Sequence, residues 1–203
     1  LRYSSPIVLT NTTILRAAAF KSTWRPSNVD THTYLFPEDV VHQAVLPGGF
    51  PATWGTGVPA DYEMDPEVVE SALYRDMVAA GITSIPSLSV VLPLDDLLGP
   101  TGIYVNPTAV GDVWERRASA ELVGDPGLPG FHIPCGVQIE GNTSRTPLNS
   151  PKHSLSLRFR GIYGASKLDY PLFPGSPVTR FDSLHLRGVY NNSWIHREPL
   201  QRA

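Results

Sequence analysis

The chain has 203 residues, room for one large domain or two small ones. Its 41% hydrophobic content supports a packed core and excludes wholesale disorder, while 20 prolines and 17 glycines without a period of three exclude collagen and point to a turn-rich β fold. A net charge of -3 predicts no strong affinity for nucleic acid or a membrane surface, and no apolar run reaches the ~18 residues that would span a bilayer. The basic residues are 13 arginines and three lysines (Lys21, Lys152, Lys167), a skew that reads as genome composition. A lone cysteine, Cys135, precludes an internal disulfide framework; beside Pro134 in an apolar stretch it reads as a buried small residue.

Residues 1–36 read as strands. PIVLT and TTILRAAAF are short apolar or alternating runs separated by the turn-prone pair Thr10-Asn11, and THTYLF follows the loop WRPSN. Residues 37–84 open with a Gly/Pro-dense segment anchored by Phe50, Trp54 and Tyr62. A helix is predicted next, with Asp65 as N-cap, Pro66 in the first turn, a stripe of Val69, Leu73 and Met77, and Gly81 as its stop. From residue 85 onward strands and turns alternate. SIPSLSVVLP reads as a buried strand and AspAspLeuLeuGlyPro as a helical turn. VWERRASAELV alternates roughly and ends in the turn DPGLPG. GVQIEG and SLSLRFR are expected to form a hairpin, with Leu155, Leu157 and Phe159 on one face and Ser154, Ser156, Arg158 and Arg160 on the other. FDSLHLRGVY is a further strand, after which Asn192 is expected to cap a helix beginning at Ser193.

The stretch EGNTSRTPLNSPKHSLSLRFR gathers Asn142, Ser144, Arg145, Lys152 and His153, the inventory of an anion site. Its spacing is neither that of a GxxxxGK[ST] loop nor that of a GxGxxG loop, so spacing alone favours the solvated loop of a hairpin. The histidines (His32, His42, His132, His153, His185, His196) form no close ligand pair. His185 lies on the strand face opposite Leu184 and Leu186, where solvent exposure is expected, and His196 reads as a surface residue. No GxSxG elbow is present. Asp61, Glu63, Asp65 and Glu67 surround a helix start and do not match an EF-hand loop. Three sequons, at Asn11, Asn142 and Asn191, read as chance, and Trp24, Trp54, Trp114 and Trp194 as core and linker anchors rather than sugar-stacking platforms.

Two segments resemble known families. IVLTNTTILRAAAFKSTWRPSNVDTHTYLF is similar to the end of the chitobiase/β-hexosaminidase C-terminal-like (fibronectin type III-associated) domain. It has the Thr-rich strand, the R-A-x-A strand, the Pro-Ser pair and the final Thr-x-x-Tyr strand in order, without the upstream strands. From about Ile85, the ordered set SIPSLSVVLP, GVQIEGNTSRTPLNSPKHSLSLRFR, YGASKLDYPLFP and FDSLHLRGVYNNSWIHR resembles the N-terminal part of the CotH (spore coat protein H) kinase-like family. Glu140 stands where that family usually has Arg, and Asn192 where it has Asp. Families of these two kinds often occur in tandem in large secreted or surface proteins of environmental bacteria.

The combined reading is a mostly β fold with minor α (α+β). Residues 1–36 would end a small β-sandwich, 37–84 would form a Pro/Gly-rich connection with one helix, and 85–203 would begin an antiparallel, N-lobe-like kinase sheet. The resemblance implies a secreted or surface multidomain protein with an atypical protein kinase domain that uses ATP and magnesium in the intact parent. It also implies that Asn142, Ser144, Arg145, Lys152 and Arg158 are candidates for its nucleotide side. A first residue Leu1 and an end at Ala203, before the family's acid-bearing half, lead to the expectation of an inactive fragment with no catalytic residue and no cofactor of its own. The partners would be a protein substrate or a cell-surface polysaccharide. The alternative is a non-catalytic adhesion or carbohydrate-contact module of pseudokinase type.

Overall fold

The computed structural model describes residues 2–55, 57–124, 127, 129–188. The expected cap at Asn192, the helix after it, Trp194, His196 and the sequon at Asn191 lie outside the described residues. The fold is mostly β with minor α, as the turn-rich composition and alternating runs predict. Two compact units are present, one of residues 1–47, 62–91 and 119–132, the other of residues 48–61, 92–118 and 133–203.

In the first unit β1 (Thr13–Ala17) and β2 (Asp30–Tyr34) pair antiparallel, with Thr13 opposite Tyr34 and Ala17 opposite Asp30. PIVLT does not join them: Ile7 and Val8 are exposed and outside any strand. The short helix α1 (Pro37–Val41) starts on a proline, with Glu38 and Asp39 at its positive end.

The single helix expected after Asp65 is two helices, α2 (Pro66–Val69) and α3 (Arg75–Ser84). Asp65 does cap the first, accepting a hydrogen bond from the Glu67 N–H at 2.9 Å. The break comes at Ser71, whose hydroxyl accepts from the Leu73 N–H at 3.2 Å and offers the backbone a local alternative to the helical ladder. Gly81 sits inside α3 and does not stop it. The stop is Pro86: a residue preceding proline is driven out of the helical region, and Ile85 is extended at φ -127°, ψ 151°. With α3 starting late, Leu73 and Met77 face solvent rather than a core.

The remaining elements are β3 (Thr53–Trp54), β4 (Val58–Pro59), β5 (Ser87–Val91), α4 (Leu94–Leu98), β6 (Arg116–Val123), β7 (His132–Glu140), β8 (Ser154–Arg158), β9 (Leu168–Asp169), β10 (Arg180–Phe181) and β11 (Ser183–Leu186). Five strands form one sheet in the order β11-β8-β7-β6-β5; β3–β4 and β9–β10 are separate antiparallel pairs. The expected β7–β8 hairpin is present, running from Gly136 opposite Arg158 to Glu140 opposite Ser154.

Register sorts the second unit's side chains into two faces. Val137, Leu157 and Leu184 lie in one cross-strand row, and Ile139, Leu155 and Leu186 in the next; with Ile103, Cys135, Phe159 and Leu168 they build the apolar core. Cys135 is fully buried, and burial, reinforced by the nearby Glu115 carboxylate, pushes its thiol up to about 12. The opposite face presents Gly136, Arg158 and Ser183, then Gln138, Ser156 and His185. Part of that polar face is not solvated, since Ser156 and Gln138 are buried.

Candidate functional site on the polar face of the sheet

The loop after β7 turns on a glycine in a backbone conformation that strains any other residue. Gly141 has φ +115°, and a Cβ there would lie 2.3 Å from Ser144 Oγ. A 3-10 turn, Thr143–Arg145, follows. Arg145 then ties the loop down: its Nε donates to the Gly141 carbonyl at 2.7 Å, Nη1 to Ala109 at 2.9 Å and Nη2 to Ile139 at 2.6 Å. The buried His153 supports the loop from below. It donates Nδ1–H to the Ser144 carbonyl at 3.3 Å, and its ring packs 5.0 Å from Tyr104. Burial lowers its pKa, aided by the Arg145 charge, which favours the neutral ring.

Beside this loop lies an open cleft of about 590 Å³ lined by Glu140, Asn142, Ser144, Ser154, His185 and Arg187, among others. Its far wall is held in place by the Gly188 N–H, which donates to Ser154 Oγ at 2.7 Å. Gly188 can approach so closely because it lacks a Cβ, which would lie 2.7 Å from the Lys152 carbonyl. His185 Nδ1 is 3.8 Å from Glu140 Oε2.

A second cleft, of about 370 Å³, shares His185 and is lined by Ser156, Arg158, Arg160 and Ser183. Its arginines are set by two carboxylates of different character. Asp112 is exposed and takes Arg160 in a fork, both contacts at 3.3 Å; Arg160 lowers the Asp112 pKa. Glu115 is buried, its side chain 1% exposed, with Oε2 at 3.4 Å from Arg160 and 3.7 Å from Arg158 and the Tyr163 phenol beside it. Gly136 makes room for it, because a Cβ there would fall 2.3 Å from Glu115 Oε1 and 2.6 Å from Tyr163 Cε2. Burial, with Glu115 alongside, raises the Tyr163 phenol to about 12. Arg158 also donates to Gln138 Oε1, from Nε at 3.2 Å and Nη2 at 2.5 Å, in the amide orientation that satisfies both groups. The buried Ser156 Oγ has no hydrogen-bond partner.

Comparison of the chain with protein-family models, with curated proteins and with solved structures finds no significant match. The site therefore rests on its own geometry. That geometry separates the five residues the sequence singles out. Asn142 and Ser144 line the first cleft and Arg158 the second. Arg145 spends its guanidinium on carbonyls, and Lys152 pairs with Asp61 at 2.7 Å on the surface, in neither lining. Sequence reasoning missed His185 and Arg187 as cleft residues and Glu115 as the buried anchor. The available signal was the alternation of Ser183, His185 and Arg187 with Leu184 and Leu186, which places them on the same face as Ser156 once β11 pairs with β8. Among the described residues, no group of three or more His, Cys, Asp or Glu side chains is arranged to hold a metal. Among the same residues, no helix is long and apolar enough to cross a membrane.

Proposed function

We propose that the polar face of β7, β8 and β11 binds the phosphate-bearing part of a nucleotide, as the nucleotide-side sheet of a CotH-like atypical kinase domain in a secreted or surface protein. The observation that carries this reading is the pair of adjoining clefts. They share His185; Arg187, Asn142, Ser144 and the unpartnered Ser156 hydroxyl line them, and Arg158 and Arg160, held by Gln138 and Asp112, line the second, where a phosphate would have to compete with those partners. Arginine forks and hydroxyl donors are the groups that phosphate oxygens accept from. ATP would be held by these side chains, and bound magnesium would neutralise phosphate charge.

A carbohydrate-contact module, the alternative, has Trp24 in its favour, which is 67% exposed; Trp54 is buried and Trp114 is partly covered by Arg116. Thermal shift with ATP and magnesium separates the two. Ligand at 100 times its Kd stabilises by about 2.7 kcal/mol. ATP is expected to raise the melting temperature of the parent chain and of Lys152→Ala, but not of Arg187→Ala or of Arg158→Ala. No shift with ATP in the parent chain would end the nucleotide reading.

A further inference from the structure

The first unit contains an arrangement that the phosphate reading does not use. β2 brings Asp30 and His32 against the polar face of β6 and the first residue of β7. Ser119 Oγ lies 2.7 Å from His132 Nε2, and His132 Nδ1 lies 3.2 Å from Asp30 Oδ1. The other Asp30 oxygen, Oδ2, is 3.3 Å from His32 Nε2, and His32 Nδ1 is 3.3 Å from Glu121 Oε1. Glu121 Oε2 in turn accepts from the Thr33 N–H at 2.6 Å, so the line of groups is anchored to the β2 backbone.

The chemistry of these contacts has a direction. Asp30 Oδ1, 3.2 Å from His132 Nδ1, is an acceptor beside that nitrogen, and a ring proton placed there leaves the lone pair on Nε2. That lone pair faces the Ser119 hydroxyl at hydrogen-bond distance, the relation of a nucleophile to its general base, with an acid orienting the base. His32, whose pKa is raised by Glu121 and then by Asp30, holds Asp30 from the other side. The groups are reachable: Ser119 is half-buried and the His132 side chain is 21% exposed.

We propose that Ser119 is a nucleophile activated by His132 toward small activated acyl esters, with Asp30 as the positioning residue. In the acyl-transfer step Ser119 Oγ bonds to the ester carbonyl carbon, its proton passes to His132 Nε2, and the carbon–oxygen bond to the leaving group breaks. The leaving alkoxide or phenolate departs with its electron pair and then takes the proton from His132 Nε2, which restores the neutral base. Water then attacks the acyl-serine, His132 accepts its proton and returns one to Oγ, and a carboxylic acid is released. General-base activation contributes about 10²–10⁴-fold. Aryl esters, whose leaving groups depart without acid assistance, are the substrates on which that factor registers.

The test is covalent labelling with an alkyl fluorophosphonate, in which an Oγ–P bond replaces P–F, fluoride leaves and His132 takes the proton. Intact-mass and peptide analysis are expected to show one adduct, on Ser119, with none in Ser119→Ala and labelling at least about tenfold slower in His132→Gln. Lys152→Ala, whose only ion pair among the described residues is with Asp61 and which touches none of these groups, is expected to label at the parent rate, and a loss of labelling there would overturn the proposal. Imidazole ¹⁵N shifts are expected to report protonated Nδ1 in His132, lost in Asp30→Asn. No Ser119 adduct on the folded parent chain overturns the proposal whatever the variants do. A labelling rate unchanged in a folded His132→Gln also overturns it.

Discussion

Replacement of Arg145 separates a residue that holds a loop from one that holds a ligand. Its Nε, Nη1 and Nη2 donate to three different carbonyls at 2.7, 2.9 and 2.6 Å, two of these contacts being partly buried. A hydrogen bond from a charged donor contributes about 1.5–3 kcal/mol net, and the exposed contact to Gly141 is replaceable by water. Arg145→Ala should therefore cost about 3–5 kcal/mol, through the contacts to Ala109 and Ile139. At about 2–4 °C per kcal/mol for a chain of this size, the melting temperature falls by roughly 6–20 °C. Arg145→Lys keeps the charge, yet one ammonium cannot span three carbonyls, so it should recover less than half of that loss. Lys152→Ala is the control: its ion pair with Asp61 has both partners about half exposed, and such pairs contribute about 0–1 kcal/mol. Differential scanning calorimetry measures the stability, and hydrogen exchange over residues 141–146 locates it. A melting temperature within about 2 °C of the parent for Arg145→Ala, with exchange unchanged, would refute the loop-holding role.

Two further outcomes follow from titratable groups. The Cys135 thiol, buried and raised to about 12, should stay unmodified by a disulfide reagent at pH 8 in the folded chain and react stoichiometrically in denaturant; prompt reaction of the native protein would contradict its burial. His32, with its pKa raised chiefly by the Glu121 hydrogen bond, contributes stability that is fully present below its unfolded value near 6.5 and is lost as pH rises through the raised folded value. The parent should therefore exceed His32→Gln in melting temperature most at pH 5.5, with the gap narrowing toward pH 8.5; a gap that widens with pH would reverse the assignment.

Local patterns were legible where neighbours in sequence are neighbours in space. Alternation gave the β7–β8 hairpin and its two faces, and Asp65 gave a helix start. The helix beyond it divides in two and runs past Gly81, because glycine is a weak signal beside two stronger ones, the Ser71 hydroxyl and the proline after Ile85. The anion-site inventory rests on residue types alone. What a cation does depends on partners far along the chain: Arg145 meets carbonyls 36–38 residues away, and Lys152 meets Asp61. Likewise His185 acquires a role only through pairing with β8, and Ser119 through Asp30 of β2. Such long-range pairings leave no local periodicity to find.

The position of β11 has a consequence for how this protein behaves in solution. Among the described residues it is an edge strand, and the outer backbone groups of an edge strand can pair with another chain. His185 and Arg187, the charges proposed to meet phosphate, also stand at this edge, where charge deters stacking of one sheet on the next. Neutralising them removes a ligand contact and a guard against self-association together. A thermal shift lost in Arg187→Ala is informative beside a light-scattering profile that remains monodisperse.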